Sequence, residues 1–494
     1  MTAIQTKFFR FALLTLPLTV GLQSCSDTFF DVNTTPNNPT VVPATVLLTT
    51  VEYDIAFASS NDLNRIAEVF MQHAAGVANQ VATYDVYNIR GASDNQWNGE
   101  LYAGALINSQ QIIDLTQAAS PAYAGIAKLL KAHAFSIVTN MWGDVPYSQA
   151  LQGTNTLSPR LDKQQDIYLG NSGQNIQGLF DLVKEGMADI DKGLDKAYTG
   201  FKPATDDVVY GGDLTKWKRL GNTMLMRLAI IIGRKEPATA KKIIDEAIAS
   251  SAGLLNDNAL DFQVGFGSDN GKQNPIYSFN FVNRPSDGMA STRFIDSLTA
   301  YKDPRLARFY TTVSGAYVGF NNGSVAAAPA LAGRSRIGAY LTGAGGEAPI
   351  RIITNFQRAF MQAEAVLTLG VAGNAQTFYQ EGIRASMVKA GIATADINTY
   401  FTANPQVVTL SGSPQNQLRQ VMTQKWIANF GIGLEAFDDY RRTGYPALSQ
   451  VLNPSGDDGT RPVRLPYTDN EIQRNPNVPN PGPKTNERLW WDID

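Results

Sequence analysis

DLTKWKRLGNTMLMRLAIII, residues 213–232, decides the fold class. Its apolar positions Leu214, Trp217, Leu220, Met224, Leu225, Leu228, Ile231 and Ile232 recur at intervals of three and four, and Asp213 stands ready to cap. The spacing predicts a buried helix. The same period runs outward in both directions, through 63–77, 97–115, 121–139, 178–194, 238–249, 356–369, 375–390 and 414–430. Ser120-Pro121 and Ser413-Pro414 each put a capping side chain before a proline at the first helical position. Segments 356–369 and 375–390 are separated only by GVAGN, which predicts an antiparallel helix pair. The fold class is therefore all-α, and any tetratricopeptide-like repeats are degenerate, because no 34-residue sequence period is present.

Two stretches break the helical period. Residues 256–290 and 311–350 are rich in Gly, Asn, Ser and aromatics, and loops far longer than the usual four to six residues in a compact protein tend to carry function. Residues 451–494 are crowded with Pro and Asn and predict irregular chain wrapped over the surface.

Composition narrows the function. With 494 residues and 44% hydrophobic positions, a large core can be buried, and only 17% of the chain is charged. The net charge of -3 comes with no basic run or stripe, which argues against nucleic-acid binding. His73 and His133 are far apart and have no second ligand at metal spacing, so we expect no metal site, no cofactor and no His-based triad. Both histidines read as helix-packing or surface residues. Gly-x-Ser-x-Gly, a Walker loop and His-Glu-x-x-His are missing. The adjacent acids Asp206-Asp207, Asp438-Asp439 and Asp457-Asp458 point apart on any regular element, so they read as solvated or capping groups and not as a glycosidase pair. No catalytic residue is assigned, and the chain is expected not to be an enzyme.

The N-terminus has the order of a secretory signal. Lys7 and Arg10 precede an apolar run from Phe11 to Leu22 that is too short to span a bilayer. Leu22-Gln23-Ser24-Cys25 then resembles a bacterial lipobox, with Gln23 in place of the usual small residue. The expectation is a signal peptide over 1–24, a lipid anchor on Cys25, an extended tether over 25–43 and a helical binding domain over 44–494. Ser26, Asp27 and Asp31 behind the cysteine are similar to the signal that places lipoproteins on the outer face of the outer membrane.

Five ordered segments carry a more specific likeness: WGDVPYS from Trp142, FYQEGIRASM from Phe378, QKWIANFGIGLEAFDDYRRTGYP from Gln424, RLPYTDNEIQRNP from Arg464 and WWD from Trp490. With WKRLGNTMLMRLAI from Trp217 and TRFIDSLTAYKDPRL from Thr292, they resemble the SusD/RagB family of outer-membrane nutrient-binding lipoproteins. The resemblance implies tetratricopeptide-like helix pairs as a scaffold, long irregular loops as a ligand face, and a partner, a SusC-type TonB-dependent transporter barrel to which captured oligosaccharide is delivered. A peptide ligand is the alternative within the same import system, and a surface glycan-degrading enzyme is a further one.

The signature segments themselves read as structural, with Arg441 or Arg442 pairing Glu435 or Asp438 at a helix end. A sugar site needs flat rings beside hydrogen-bonding groups. Residues 83–97 offer Tyr84, Tyr87, Asn88, Arg90, Asp94 and Trp97, and residues 278–285 offer Phe279, Asn280, Phe281, Asn283 and Arg284. Trp97 sits in the first turn of the next helix and could equally belong to the core.

Overall fold

The computed structural model describes residues 42–493; Cys25, the signal segment and most of the tether lie outside them. The longer helices are α1 (Ala44–Ala58), α2 (Asp62–Phe70), α3 (Ile107–Thr116), α4 (Pro121–Trp142) and α5 (Leu179–Leu194). They continue with α6 (Leu214–Ile232), α7 (Pro237–Ala249), α8 (Asn355–Leu369), α9 (Ala375–Lys389), α10 (Pro414–Ala428) and α11 (Gly433–Thr443). Strands among the described residues form only two-stranded antiparallel ribbons, such as Ala74–Gly76 with Gly288–Ala290, beside isolated bridges such as the parallel one between Ser291 and Phe320. The fold is all-α, as the periodicity predicts.

Local chemistry starts several of these helices. The Asp213 carboxylate accepts from the backbone of Thr215 and Lys216 at the head of α6, and Ser413 accepts from Asn416 at the head of α10. Thr354 and Gln357 form a reciprocal capping box on α8. Ser120 behaves differently: Pro121 does open α4, but the Ser120 hydroxyl donates to the carbonyl of Phe201 and makes no cap.

Consecutive helices pack as pairs, α3 on α4, α4 on α5, α6 on α7 and α8 on α9. The α4–α5 crossing is tight because two glycines meet. A Cβ on Gly125 would stand 2.5 Å from the carbonyl oxygen of Gly186, and one on Gly186 would stand 2.8 Å from that of Gly125.

Two helical segments differ from the sequence expectation. The helix expected over 63–77 stops at Phe70, since Gln72 takes a φ of 56° and the chain turns into the strand at Ala74. His73 is fully buried there, stacked on Trp426 at 5.2 Å, with its ring nitrogens on Glu68 and the Trp426 carbonyl. The segment 97–115 begins as a π-helix over Gln96–Leu106 and becomes α3 only from Ile107. His133 is also buried, and desolvation pushes its pKa down to about 3, so it packs as a neutral ring.

Buried ion pairs tie α6, α8, α10 and α11 together. Arg227 on α6 bonds Glu435 at 2.6 Å and Asp438 at 3.1 Å, while Lys425 on α10 bonds Glu435 at 2.8 Å and Asp439 at 2.9 Å. Arg442 grips Asp439 and, across to α8, Glu364; Arg441 grips Asp438. Four cations thus face four carboxylates with almost no water. Neighbouring Lys425 and Arg227 outweigh burial and hold the Glu435 carboxyl well below its usual range. One expectation is corrected here and another is met. Asp438 and Asp439 are not solvated, because each is locked between cations in the core. The expected pair at this helix end is made by Arg441 with Asp438, while Arg442 pairs with Asp439 and, on α8, with Glu364.

The remaining signature segments interlock around this network. Gly143 leaves α4 with a φ of 85°, its carbonyl accepting from the Thr139 hydroxyl at 2.7 Å. The Trp142 indole donates to the Pro466 carbonyl at 2.9 Å, and the Tyr467 hydroxyl donates to the Asp144 carbonyl at 2.6 Å. The C-terminal chain is fastened across the helices by these bonds.

Candidate functional site

The two long irregular stretches meet near the start of α2. Buried Asn274 fixes the geometry: its amide donates to the carbonyls of Leu341 at 3.1 Å and Ala348 at 2.9 Å, and its oxygen accepts from the Tyr277 backbone at 2.8 Å. The short π-helical turn Ser278–Asn283 follows, and it leaves Tyr277, Phe279 and Phe281 half-buried at the surface. Tyr277 and Phe281 lie nearly parallel, 12° apart with centroids at 5.2 Å. The Arg336 guanidinium, from the second long loop, sits 4.6 Å from the centre of Phe281 and donates to the Asn280 carbonyl. On the other side, Arg65 of α2 lies 3.7 Å over Phe279 and pairs with Asp62 at 2.6 Å.

Beneath this aromatic shelf runs a slot bounded by Asn64 and Glu68 of α2, by Phe279 and Met289, and by Ser335 and Ile337, with about 70 Å³ open to a water-sized sphere. A slot of that size has room for a few waters.

The predicted site residues separate. Phe279, Asn280, Phe281 and Arg284 fall together on the shelf, with the Asn280 amide spent on the Ile276 carbonyl at 2.8 Å and Arg284 exposed. Tyr84, Tyr87 and Trp97 are each only 2% exposed, so none has a ring face left for a ligand. Tyr84 stands in the core with its hydroxyl 3.5 Å from Asp62, and burial raises its pKa above the ordinary tyrosine value. Tyr87 packs edge-on against Phe70 at 5.7 Å, and Trp97 edge-on against Trp142 at 4.9 Å. Alternation of rings and polar groups drew attention to residues 83–97, but those rings belong to the core. Asn88 and Arg90 are exposed, and Arg90 pairs with Asp469 at 3.4 Å. One chain of contacts joins the two segments, from Tyr84 through Asp62 and Arg65 to Phe279.

Sequence reasoning passed over Tyr277, Arg65, Arg334 and Arg336. Tyr277 lies one residue outside the chosen segment, and the Arg-Ser-Arg run at 334–336 was the available signal inside a loop already marked as functional. Among the described residues no group of three or more His, Cys, Asp and Glu is arranged to hold a metal ion.

Comparison with known proteins agrees with this architecture. No curated protein sequence matches the chain. Among solved structures, a chitin-binding protein superposes with a TM-score of 0.76 at 26% identity, covering 92% of this chain and 100% of its own. A chitin-binding SusD homolog from Flavobacterium johnsoniae has a TM-score of 0.74 at 22% identity over 92% and 98% of the two chains. A SusD homolog from Bacteroides fragilis has a TM-score of 0.75 at 22% identity over 92% and 100%. The family model described as "Starch-binding associating with outer membrane" matches residues 36–468, nearly the whole helical body, and the chain therefore belongs to the SusD-like family.

Proposed function

We propose that this protein is a cell-surface lipoprotein, anchored through Cys25, that captures oligosaccharide on the Tyr277–Arg284 shelf and passes it to a SusC-type TonB-dependent barrel. The observation that carries the reading is the shelf itself: half-buried rings, with guanidinium groups over Phe279 and Phe281 and backbone carbonyls beside them, on an otherwise helical body of the SusD-like family. Apolar sugar faces stack on such rings while hydroxyls bond the polar rim. The chitin-binding relatives support a carbohydrate as the ligand. The lipobox-like sequence ahead of Cys25 supports the anchor.

In this role the protein binds and releases without chemistry. Glycan and peptide arrays probed with the chain lacking residues 1–25 are expected to retain it on saccharides, whereas retention on peptides alone would replace the reading with peptide capture. Shortening of the glycans on incubation would make it an enzyme. Gentle detergent extraction of tagged protein from its own cells is expected to bring a large β-barrel with it. Cys25→Ala is expected to move the protein from the membrane to the soluble fraction without loss of fold.

A further inference from the structure

We infer that the saccharide taken by this shelf is anionic, a chain carrying carboxylates or sulfates, because Arg336 lies against Phe281, Arg334 stands two residues away, exposed Arg284 follows the aromatic turn, and none of the three is ion-paired among the described residues. This inference rests on the carbohydrate reading and narrows it. Arg336 lies against Phe281 and spends one donor on the Asn280 carbonyl. Arg334 donates to the carbonyls of Ser286, three residues beyond the turn, and of Pro329, at 2.8 Å each. Arg284 projects from the end of the turn and is exposed. No ion pair is formed by any of the three among the described residues.

The neighbouring acids are otherwise engaged. Asp62 holds Arg65 at 2.6 Å, and Glu68 holds His73 at 3.1 Å. Asp287, the acid closest along the chain, is buried and takes the Asn79 amide at 2.8 Å. A neutral amide does not discharge Asp287, nor a hydrogen bond to an imidazole Glu68, but three guanidinium groups against these two carboxylates still leave positive charge in excess at this face. Burial, and then the charge of Arg334, hold Arg336 below the usual arginine range, as expected of a cation that lacks a counter-charge in this structure.

Each guanidinium keeps donors unspent after its backbone bonds, in a planar fork suited to carboxylate or sulfate oxygens. The rings supply stacking for any sugar, so the cations are what would separate an acidic chain from a neutral one. A purely neutral ligand would lay its hydroxyls against these cations and leave them unmatched.

The test is calorimetric titration of the chain lacking residues 1–25 with oligogalacturonate, a sulfated oligosaccharide and neutral chito- and malto-oligosaccharides of equal length. An acidic chain is expected to bind about tenfold more tightly than the neutral ones, with the margin shrinking as salt is raised. The uronate and sulfate arms distinguish the two anions. Arg284→Gln is expected to lose part of the margin, and Arg334→Gln with Arg336→Gln most of it, read in each variant as the ratio of acidic to neutral affinity. Neutral chains binding as tightly as acidic ones, or a margin indifferent to salt and to all three substitutions, would overturn the inference and leave carbohydrate capture intact. Failure of every saccharide to bind would remove both.

Discussion

Two regions of this molecule are rich in arginine, and they handle the charge in opposite ways. Between α6, α8, α10 and α11, Arg227, Lys425, Arg441 and Arg442 are buried and each meets a carboxylate. On the shelf, Arg284, Arg334 and Arg336 reach the surface and meet backbone carbonyls or water. Charge taken out of water must be matched within the fold, since breaking a buried pair strands its partner. Charge at an open face is free to be matched from outside. The first arrangement holds the scaffold, and the second, on the proposed reading, would let the loops set specificity.

The strongest way to break this contrast is Arg442→Met. Glu364 and Asp439 would lose their shared cation inside a nearly dry site, with only Lys425 left beside Asp439. The expected loss is about 3 to 5 kcal/mol of unfolding free energy by urea titration, with glycan affinity of the folded fraction unchanged. Adding Glu364→Gln to the same chain should recover part of that loss. A scaffold indifferent to Arg442→Met would mean that the network is not what ties α8 to α11.

Tyr84→Ala sharpens the line between the core and the shelf. The ring is buried beneath Asp62 and Arg65, so its removal should cost about 3 kcal/mol in stability, in the range for a large ring deleted from a core. A mutant of normal stability that fails to bind sugar would put Tyr84 back in the site. This residue also shows how far the sequence could be read. Helices and their caps were legible because period and capping are local properties, as at Asp213 and Ser413. Burial of a ring in an aperiodic segment is decided by what folds over it. Nothing in residues 83–97 records that Asp62, held by Arg65, arrives from α2 beside Tyr84. The pairing of Arg442 with Glu364, 78 positions away, was illegible for the same reason.

A buried carboxyl outside the network gives a smaller effect with a defined pH dependence. Glu52 on α1 is fully buried, accepts from the Val208 backbone at 2.8 Å, and has its other oxygen without a partner. Burial first, and then the neighbouring Asp207 carboxylate, raise its pKa well above the ordinary value. With the folded-state value raised, its stabilising contribution is complete below the ordinary glutamic-acid range and is lost as pH rises through the folded-state value. Glu52→Gln keeps a neutral side chain at every pH. It should therefore be more stable than the parent by about 1 to 2 kcal/mol at mildly alkaline pH, with the gain vanishing in acid. Thermal melts of both chains across pH measure this, and a constant difference would show that Glu52 does not titrate on unfolding.

The smallest effect, on Tyr277, tests where the shelf begins. Its ring is half-buried, parallel to Phe281, and held from below by the bond from its backbone to Asn274. Removing the side chain leaves that backbone bond, so Tyr277→Ala should barely change stability. If the stack is where a sugar lies, the variant loses about 0.5 to 1.5 kcal/mol of binding, a three- to tenfold weaker Kd. Tyr277→Phe should bind nearly as well as the parent, since the ring face and not the hydroxyl does the stacking. The arginine substitutions on the same shelf should act differently, changing which glycans are preferred and the response to salt, whereas Tyr277→Ala should weaken acidic and neutral chains by the same factor. Equal losses for both kinds of substitution would mean that rings and cations serve one contact. A stable Tyr277→Ala chain with unaltered affinity for every glycan would move the site off this shelf.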